Sequence, residues 1–341
     1  MTRLFQILAT GLTACLIAIS ARAEEVLTLH TFMSPKSPTV TKMLEPWADR
    51  IAEQSGGKLR VEIFPSMAMG GKPPELYKQV RDGVADIVWT LPGYTPGVFP
   101  RSEVFELPTV HAGDAKATTM AIQELMPMIA ADFEDIHPLL IHVHAGNAIH
   151  LAENEIAGPN GLKGLKLRTP SRTGAWLIEA LDAEPVGMPL PALPQALSKN
   201  GVDGALVPFE IFPPFKLQEL TKFSAEGEDG TRFGTSVFLF AMNKDRYEAL
   251  PDDLKAVIDA ASDSAFAAEM GAVWNANEAP GIAFQEKAGN KVMRFGPETM
   301  AAFAARGEAV VTRWVEDSKT QGFDGAALVE AARTAVAKHS E

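Results

Sequence analysis

The sequence predicts an α/β protein of two lobes, and three observations carry that expectation. Short apolar runs alternate with helical patterns, as at residues 26–30, 39–55, 59–64, 74–82 and 85–90, the mark of a mostly parallel sheet flanked by helices. The alternation starts afresh near residue 146, and a strong strand returns after residue 233, so a chain of 341 residues divides twice rather than once. The single cysteine lies in the first 23 residues, so the rest must be stabilised by a large apolar core without disulfides.

Taken in order, residues 26–30 form a first strand and a helix covers 39–55, ended by Gly56 and Gly57. A strand at 59–64, a helix at 74–82 and a buried strand at 85–90 follow. The Pro/Gly-rich stretch 91–99 then carries Tyr94 and Phe99 on a loop directly after a strand, where open α/β sheets place ligands. A helix at 115–133 and a strand at 139–144 close the first unit. The second unit has strands at 165–168, 185–188 and 202–207, with helices at 171–181 and 193–199 between them. A strand at 238–242 precedes a long helical pattern that begins with Asp252 and Asp253 and reaches residue 287, with a kink or break expected at Pro280 and Gly281. The tail, 297–337, is helical and amphipathic. One lobe is therefore expected from residues 24–146 with 234–273, and the other from 147–233 with 274–341.

Arg3, the apolar run 4–19 and Ala21-Arg22-Ala23 make a secretory signal peptide, with cleavage expected after Ala23. Residues 12–15 resemble a lipoprotein box ending at Cys15, but the apolar run continues past that cysteine, which favours the later cleavage. The chain carries 31 Lys and Arg against 43 Asp and Glu, and losing residues 1–23 removes only basic charge. An acidic exported protein is a poor nucleic-acid partner, and it holds an anion only where a cation is placed for it.

The motifs for chemistry are thin. Gly70-Gly71-Lys72 lacks the spacing of a phosphate loop and reads as a turn. His142 and His144 share a strand face, with His137 and His150 near in sequence, but a metal site needs further ligands, and histidines on a strand edge account for the pattern. Residues 226–229 (EGED) lack calcium-loop order and read as a solvated turn. No Gly-x-Ser-x-Gly elbow occurs. No metal and no cofactor is expected.

One residue stands apart. In GLKLRTPSR (164–172) a short strand ends on Arg168, and Pro170 turns the chain away. A guanidinium there either pairs with an internal acid or presents a planar fork of donors to an anion. Arg172, a turn later, is expected to face solvent.

The blocks around this strand resemble a known family. They are Ser55-Gly56-Gly57-Lys58-Leu59, Gly83-Val84-Ala85-Asp86, GLKGLKLRTP (161–170), Glu184 to Pro189, Asn200 to Gly204, and Met242-Asn243-Lys244 with Leu250-Pro251. In order and spacing the chain is similar to the periplasmic substrate-binding proteins of TRAP (tripartite ATP-independent periplasmic) transporters, the DctP-type receptors. The resemblance implies a two-lobed periplasmic binding fold with mixed sheets, hinge crossovers, a long interdomain helix and a ligand cleft. It also implies that Arg168 makes a bidentate salt bridge to a ligand carboxylate, and that the protein serves the small and large subunits of a membrane permease.

The same resemblance draws the rest of the candidate site. Sugar-acid binders often carry a second arginine where this chain has Ala148, flanked by Asn147 and His150. They also carry an asparagine where it has Val207-Pro208. Positions polar in those members match Met33, Leu91, Tyr94 and Leu190, with Met188, Phe209 and Phe212 close by in sequence. Arg232 would supply a second charge for a diacid. Such an apolar lining suits an aromatic or largely apolar monocarboxylate better than a sugar acid, whose buried hydroxyls would go unpartnered. The alternatives are a sugar acid or dicarboxylate ligand, or an exported metal-dependent enzyme acting on an organic acid. A monomer is expected.

Overall fold

Strand pairing shows how the two lobes are made. A computed structural model describes residues 24–340; the signal peptide, its cleavage after Ala23, and Cys15 lie outside the described residues. The strands are β1 (Glu25–Thr31), β2 (Leu59–Phe64), β3 (Ile87–Thr90), β4 (Ile136–Val143), β5 (Ala148–Leu151), β6 (Lys166–Thr169), β7 (Glu184–Gly187), β8 (Gly204–Val207), β9 (Phe223–Gly227), β10 (Val237–Asn243) and β11 (Lys291–Phe295). They form a five-stranded sheet, β2-β1-β3-β10-β4, and a six-stranded sheet, β11-β9-β5-β8-β6-β7.

Each sheet is parallel except for one strand. In the first it is β10, antiparallel to both β3 and β4; in the second it is β5, antiparallel to β8 and β9. These are the two strands that the chain enters directly from a strand of the other sheet, whereas β11 is reached through a helix. A chain arriving from the cleft must run away from it, whereas the parallel strands run toward it and end there. The carboxyl ends of β1, β3, β6 and β8 therefore open on the cleft, together with the amino ends of β5 and β10. Open α/β sheets bind ligands at such carboxyl ends.

The crossing segments hold each other. Asn147 donates its backbone N–H to the Gly234 carbonyl at 2.8 Å, and Phe233 donates to the Asn147 carbonyl at 2.8 Å. Gly146 makes this close approach workable: it sits at φ +110°, and a Cβ there would lie 2.4 Å from the Arg232 Cβ. Helix Ser264–Lys287 is a third link, packing on helix Ala115–Ile129 of the first lobe and on residues 209–215 of the second.

The long helical pattern breaks where the sequence did not suggest. Helix Asp252–Ala261 ends before Asp263, whose carboxylate accepts from the N–H groups of Ala265 (2.9 Å) and Phe266 (3.0 Å) and starts a new helix. Pro280 lies inside that new helix without ending it, at the loss of one backbone hydrogen bond that packing on both lobes outweighs. Gly281 lets the backbone of Phe209 press in, since a Cβ there would meet the Phe209 carbonyl oxygen at 2.0 Å.

Of residues 274–341, expected wholly in the second lobe, helix Gly325–His339 lies instead against helix Ala115–Ile129 of the first, and Lys338 and His339 both reach Glu124 at 2.9 Å. Strands β5, β9 and β11 have no counterpart in the sequence reading. β9 (FSAEG) hides its strand character because both faces are buried, with Ser224 bonded to His150 and Glu226 paired with Arg294, both far away in sequence.

Candidate functional site

A cavity lies between the lobes, at the strand ends that open on the cleft. Its first-lobe wall is aromatic. Phe32, one residue past β1, packs on Trp89 of β3 (ring centroids 5.7 Å apart) and on Tyr94 (5.6 Å), and Trp89 packs on Phe238 of β10 at 4.6 Å. Met33 and Leu91 complete this side, and Leu190, Leu206, Val207 and Ile211 face it from the second lobe.

Arg168 is the cation of this cavity. It is 2% exposed, its Nε donates to the Met188 carbonyl at 3.0 Å, and its Nη2 has no hydrogen-bond partner. Among the described residues no carboxylate pairs with it, which removes the internal-acid reading. Burial lowers its pKa, opposed by the nearby Tyr94 hydroxyl, yet a guanidinium stays charged. Tyr94 is itself fixed, its hydroxyl accepting the Leu190 backbone N–H at 2.9 Å across the cleft. The sequence thus delivers a desolvated charge with one N–H committed and others free, among aromatic rings.

The remaining candidates divide. Met33, Leu91, Tyr94, Asn147, Leu190 and Val207 line the cavity with Arg168. Met188 contributes only its carbonyl to Arg168. Ala148, fully buried and paired with Val207 across the β5–β8 ladder, does not reach the cavity. His150 lies off the cavity in a structural role, with Nε2 donating to the Val207 carbonyl at 3.1 Å and Nδ1 accepting from Ser224 at 2.8 Å. Phe209 packs edge-on to His150, with ring centroids 4.8 Å apart. Arg232 supplies no second cation to the cavity. Its side chain, 6% exposed, is paired with Glu226 and, at 3.3 Å, with Glu278, behind the cavity wall.

Three other expectations change. Glu226, read as part of a solvated turn, is buried in β9 between Arg232 and Arg294. Arg172 does not face solvent; its guanidinium grips Glu103 of the first lobe through Nε (2.6 Å) and Nη2 (2.7 Å), and Asp317 through Nη1 (2.8 Å). The histidines are buried rather than at an exposed edge. His142 accepts the Trp89 indole N–H at 3.1 Å and so orients a cavity wall. The His144 ring nitrogens stand 2.9 and 3.1 Å from the N–H groups of Gly146 and Ser236, so a second ring proton would meet a donor head-on. Burial drives the pKa of His142 down to about 3 and holds His144 well below 6.5. Among the described residues no group of three potential metal ligands converges.

The sequence reading missed Phe32, Trp89, Phe238 and Glu210. The first three follow from the rule that strand ends face the cleft, once β1, β3 and β10 are known to share a sheet. Glu210, 5% exposed and three residues past β8, has an Oε2 without a partner. A buried acid on an anion-binding cavity has no signal in the sequence.

The comparisons agree with this geometry. The family model for bacterial extracellular solute-binding protein, family 7 (DctP) matches residues 29–317. A TRAP solute-binding protein from a marine metagenome, described as specific for aromatic acid ligands and solved with 3-hydroxybenzoate, is 41% identical with a TM-score of 0.91, covering 94% of this chain and 100% of that one. A TRAP solute-binding protein from Rhodoferax ferrireducens T118, solved with copurified benzoate, is 41% identical with a TM-score of 0.89, covering 92% of this chain and 98% of that one. The outer membrane transporter protein TsaT of Comamonas testosteroni is 25% identical over 268 residues, 76% of this chain and 77% of that protein. With this fold, this cleft and a family match spanning nearly all of the described chain, the protein belongs to the family 7 extracellular solute-binding proteins, the receptors of TRAP transporters.

Proposed function

We propose that this protein captures a small aromatic or largely apolar monocarboxylate between its lobes and hands it to the small and large subunits of a TRAP permease. The observation that carries this reading is the buried Arg168 guanidinium, with a free N–H and no counter-ion, in a cavity walled mostly by aromatic and aliphatic side chains. A carboxylate supplies the missing charge, and a ring supplies apolar surface for Phe32, Trp89 and Phe238. The aromatic-acid ligands of the two 41%-identical relatives support the same class. A sugar acid or a diacid would ask for hydroxyl partners or a second cation, and Ala148 and Arg232 provide neither.

On this reading the protein is exported, with cleavage after Ala23, and works as a monomer that closes on its ligand by bending at the crossing segments 144–147 and 228–236. Among the described residues no helix is long and apolar enough to cross a membrane. The ligand is bound and released unchanged. Ligand-stripped protein titrated calorimetrically with benzoate, glucuronate and succinate tests this. Saturable binding of benzoate, with the other two at least a hundredfold weaker, is expected; tighter binding of glucuronate or succinate would overturn the ligand class.

A further inference from the structure

The cavity has a second unpartnered polar atom, and it stands apart from the first. Glu210 lines the cavity with Oε2 bare, as Arg168 does with Nη2. Arg168 lies opposite Ala205 on β8, and Glu210 follows five residues further along the chain, beyond the end of that strand. Among the described residues no hydrogen bond or ion pair joins the two, although both line the same cavity and each has a buried atom without a partner. The two polar groups are therefore each left to meet whatever fills the cavity.

Hydrogen bonding decides which form of Glu210 is present. Its buried neighbour Glu278 accepts from the N–H groups of Phe209 (3.3 Å) and Glu210 (3.0 Å) and from Arg232 (3.3 Å), all of which favour the anion. The Glu210 carboxyl has no aligned donor; the Trp274 indole is near, but its Nε1 is also left unpartnered. Two carboxylates cannot both ionise in one buried site at little cost, so the proton rests on Glu210. Burial and the Glu278 charge both push its pKa well above the usual value. A neutral carboxylic acid does not repel an anionic ligand, and it offers one donor and one acceptor to a hydroxyl.

We propose that Glu210 is a specificity residue of this cavity, separate from the Arg168 anion site, and that the protein selects hydroxyl-bearing aromatic carboxylates over unsubstituted ones. An unsubstituted ring leaves a buried carboxylic acid without a partner, and a site built around a hydroxyl discriminates strongly against analogues that lack it. This inference rests on the aromatic-acid reading above and specifies it further.

The test is calorimetric titration of the full chain, purified from the periplasm and stripped of ligand. The probes are benzoate, the three hydroxybenzoate isomers, and the methylbenzoates of matching size. The expected result is that at least one hydroxybenzoate binds tenfold or more tightly than both benzoate and its own methyl counterpart. That ratio should fall to about one in Glu210→Leu and stay above threefold in Glu210→Gln, which keeps a donor and an acceptor. Should the leucine variant not fold, the hydroxyl-to-methyl ratio on the wild-type protein still decides the matter. Benzoate binding with no hydroxyl preference, or a preference that survives intact in Glu210→Leu, overturns this inference and leaves the aromatic-acid reading standing. Failure of every aromatic acid to bind overturns both.

Discussion

Replacing Arg168 by methionine should move stability and ligand affinity in opposite senses, because the structure gives the guanidinium a solvation deficit that its internal partners only partly compensate. Taking a charge out of water costs several kcal/mol, and Arg168 recovers part of this from a single hydrogen bond, to the Met188 carbonyl at 3.0 Å, and from the Tyr94 hydroxyl. In the ligand-free protein, Arg168→Met removes that deficit and leaves one carbonyl without its donor, a loss of about 1–3 kcal/mol. The apo stability is therefore expected to be unchanged or raised by about 1 kcal/mol. The bound state differs. A carboxylate meeting the unpartnered Nη2 and a neighbouring N–H of the same guanidinium forms two charge-assisted bonds of about 1.5–3 kcal/mol each, so the variant should lose about 3–5 kcal/mol of binding, or roughly two to three and a half decades in Kd. Urea unfolding of both proteins without ligand gives the first quantity, and calorimetric titration with benzoate gives the second. An apo protein destabilised by about 3 kcal/mol would show that Arg168 is paired internally. Binding within tenfold of wild type would show that the carboxylate sits elsewhere. Either result refutes the role assigned to this residue.

Arg232 offers the converse case. It neutralises Glu226 and Glu278 inside the protein, so Arg232→Met is expected to destabilise the fold by about 3–5 kcal/mol in urea unfolding. A loss under about 1 kcal/mol would mean that the stranded carboxyls simply take up protons. Stability should also pass through a plateau as pH changes. Burial lowers His111 to about 4 and His142 and His150 to about 3 from 6.5, so the unfolded chain takes up protons first on acidification, and stability falls below about pH 4.5. Burial raises Glu106 to about 7 from 4.5 and Asp132 to about 6 from 3.8, and burial with the Glu278 charge holds Glu210 well above 4.5, so the native state keeps protons that the unfolded chain has released. Those groups lose stability as pH rises through their folded values. The two sets oppose each other between about pH 4.5 and 6.5, and above that only the carboxyls act, each at up to about 1.4 kcal/mol per pH unit. Unfolding free energies measured from about pH 4 to 8 should rise, level off and decline; a continuous rise to pH 8 would show the buried carboxyls ionised in the native protein.

What could be read in advance was local. Strand and helix periods placed most of the first lobe correctly, and a guanidinium at a strand end before Pro170 singled out Arg168 with no contact known. Asp263 and Pro280 show where that reading weakens. Both are helix-boundary signals, and whether one starts a helix or the other stops it depends on what packs alongside.

The sequence by itself determined the α/β fold class and singled out the arginine that lies in the cavity, because these rest on periodicity and on residue types within a few positions of one another. Only the tertiary structure decided which charges are spent and which are free. Arg168 and Arg232 look equally available along the chain, but the acids that consume Arg232 stand 6 and 46 residues away, and Arg168 has none. Glu226 looks solvated and is buried; Glu210 carries no signal, and its proton is set by Glu278, 68 residues on. The physical reason is that the free energy of a buried charge is fixed by the groups folding brings within a few ångströms of it, and chain separation does not encode that distance.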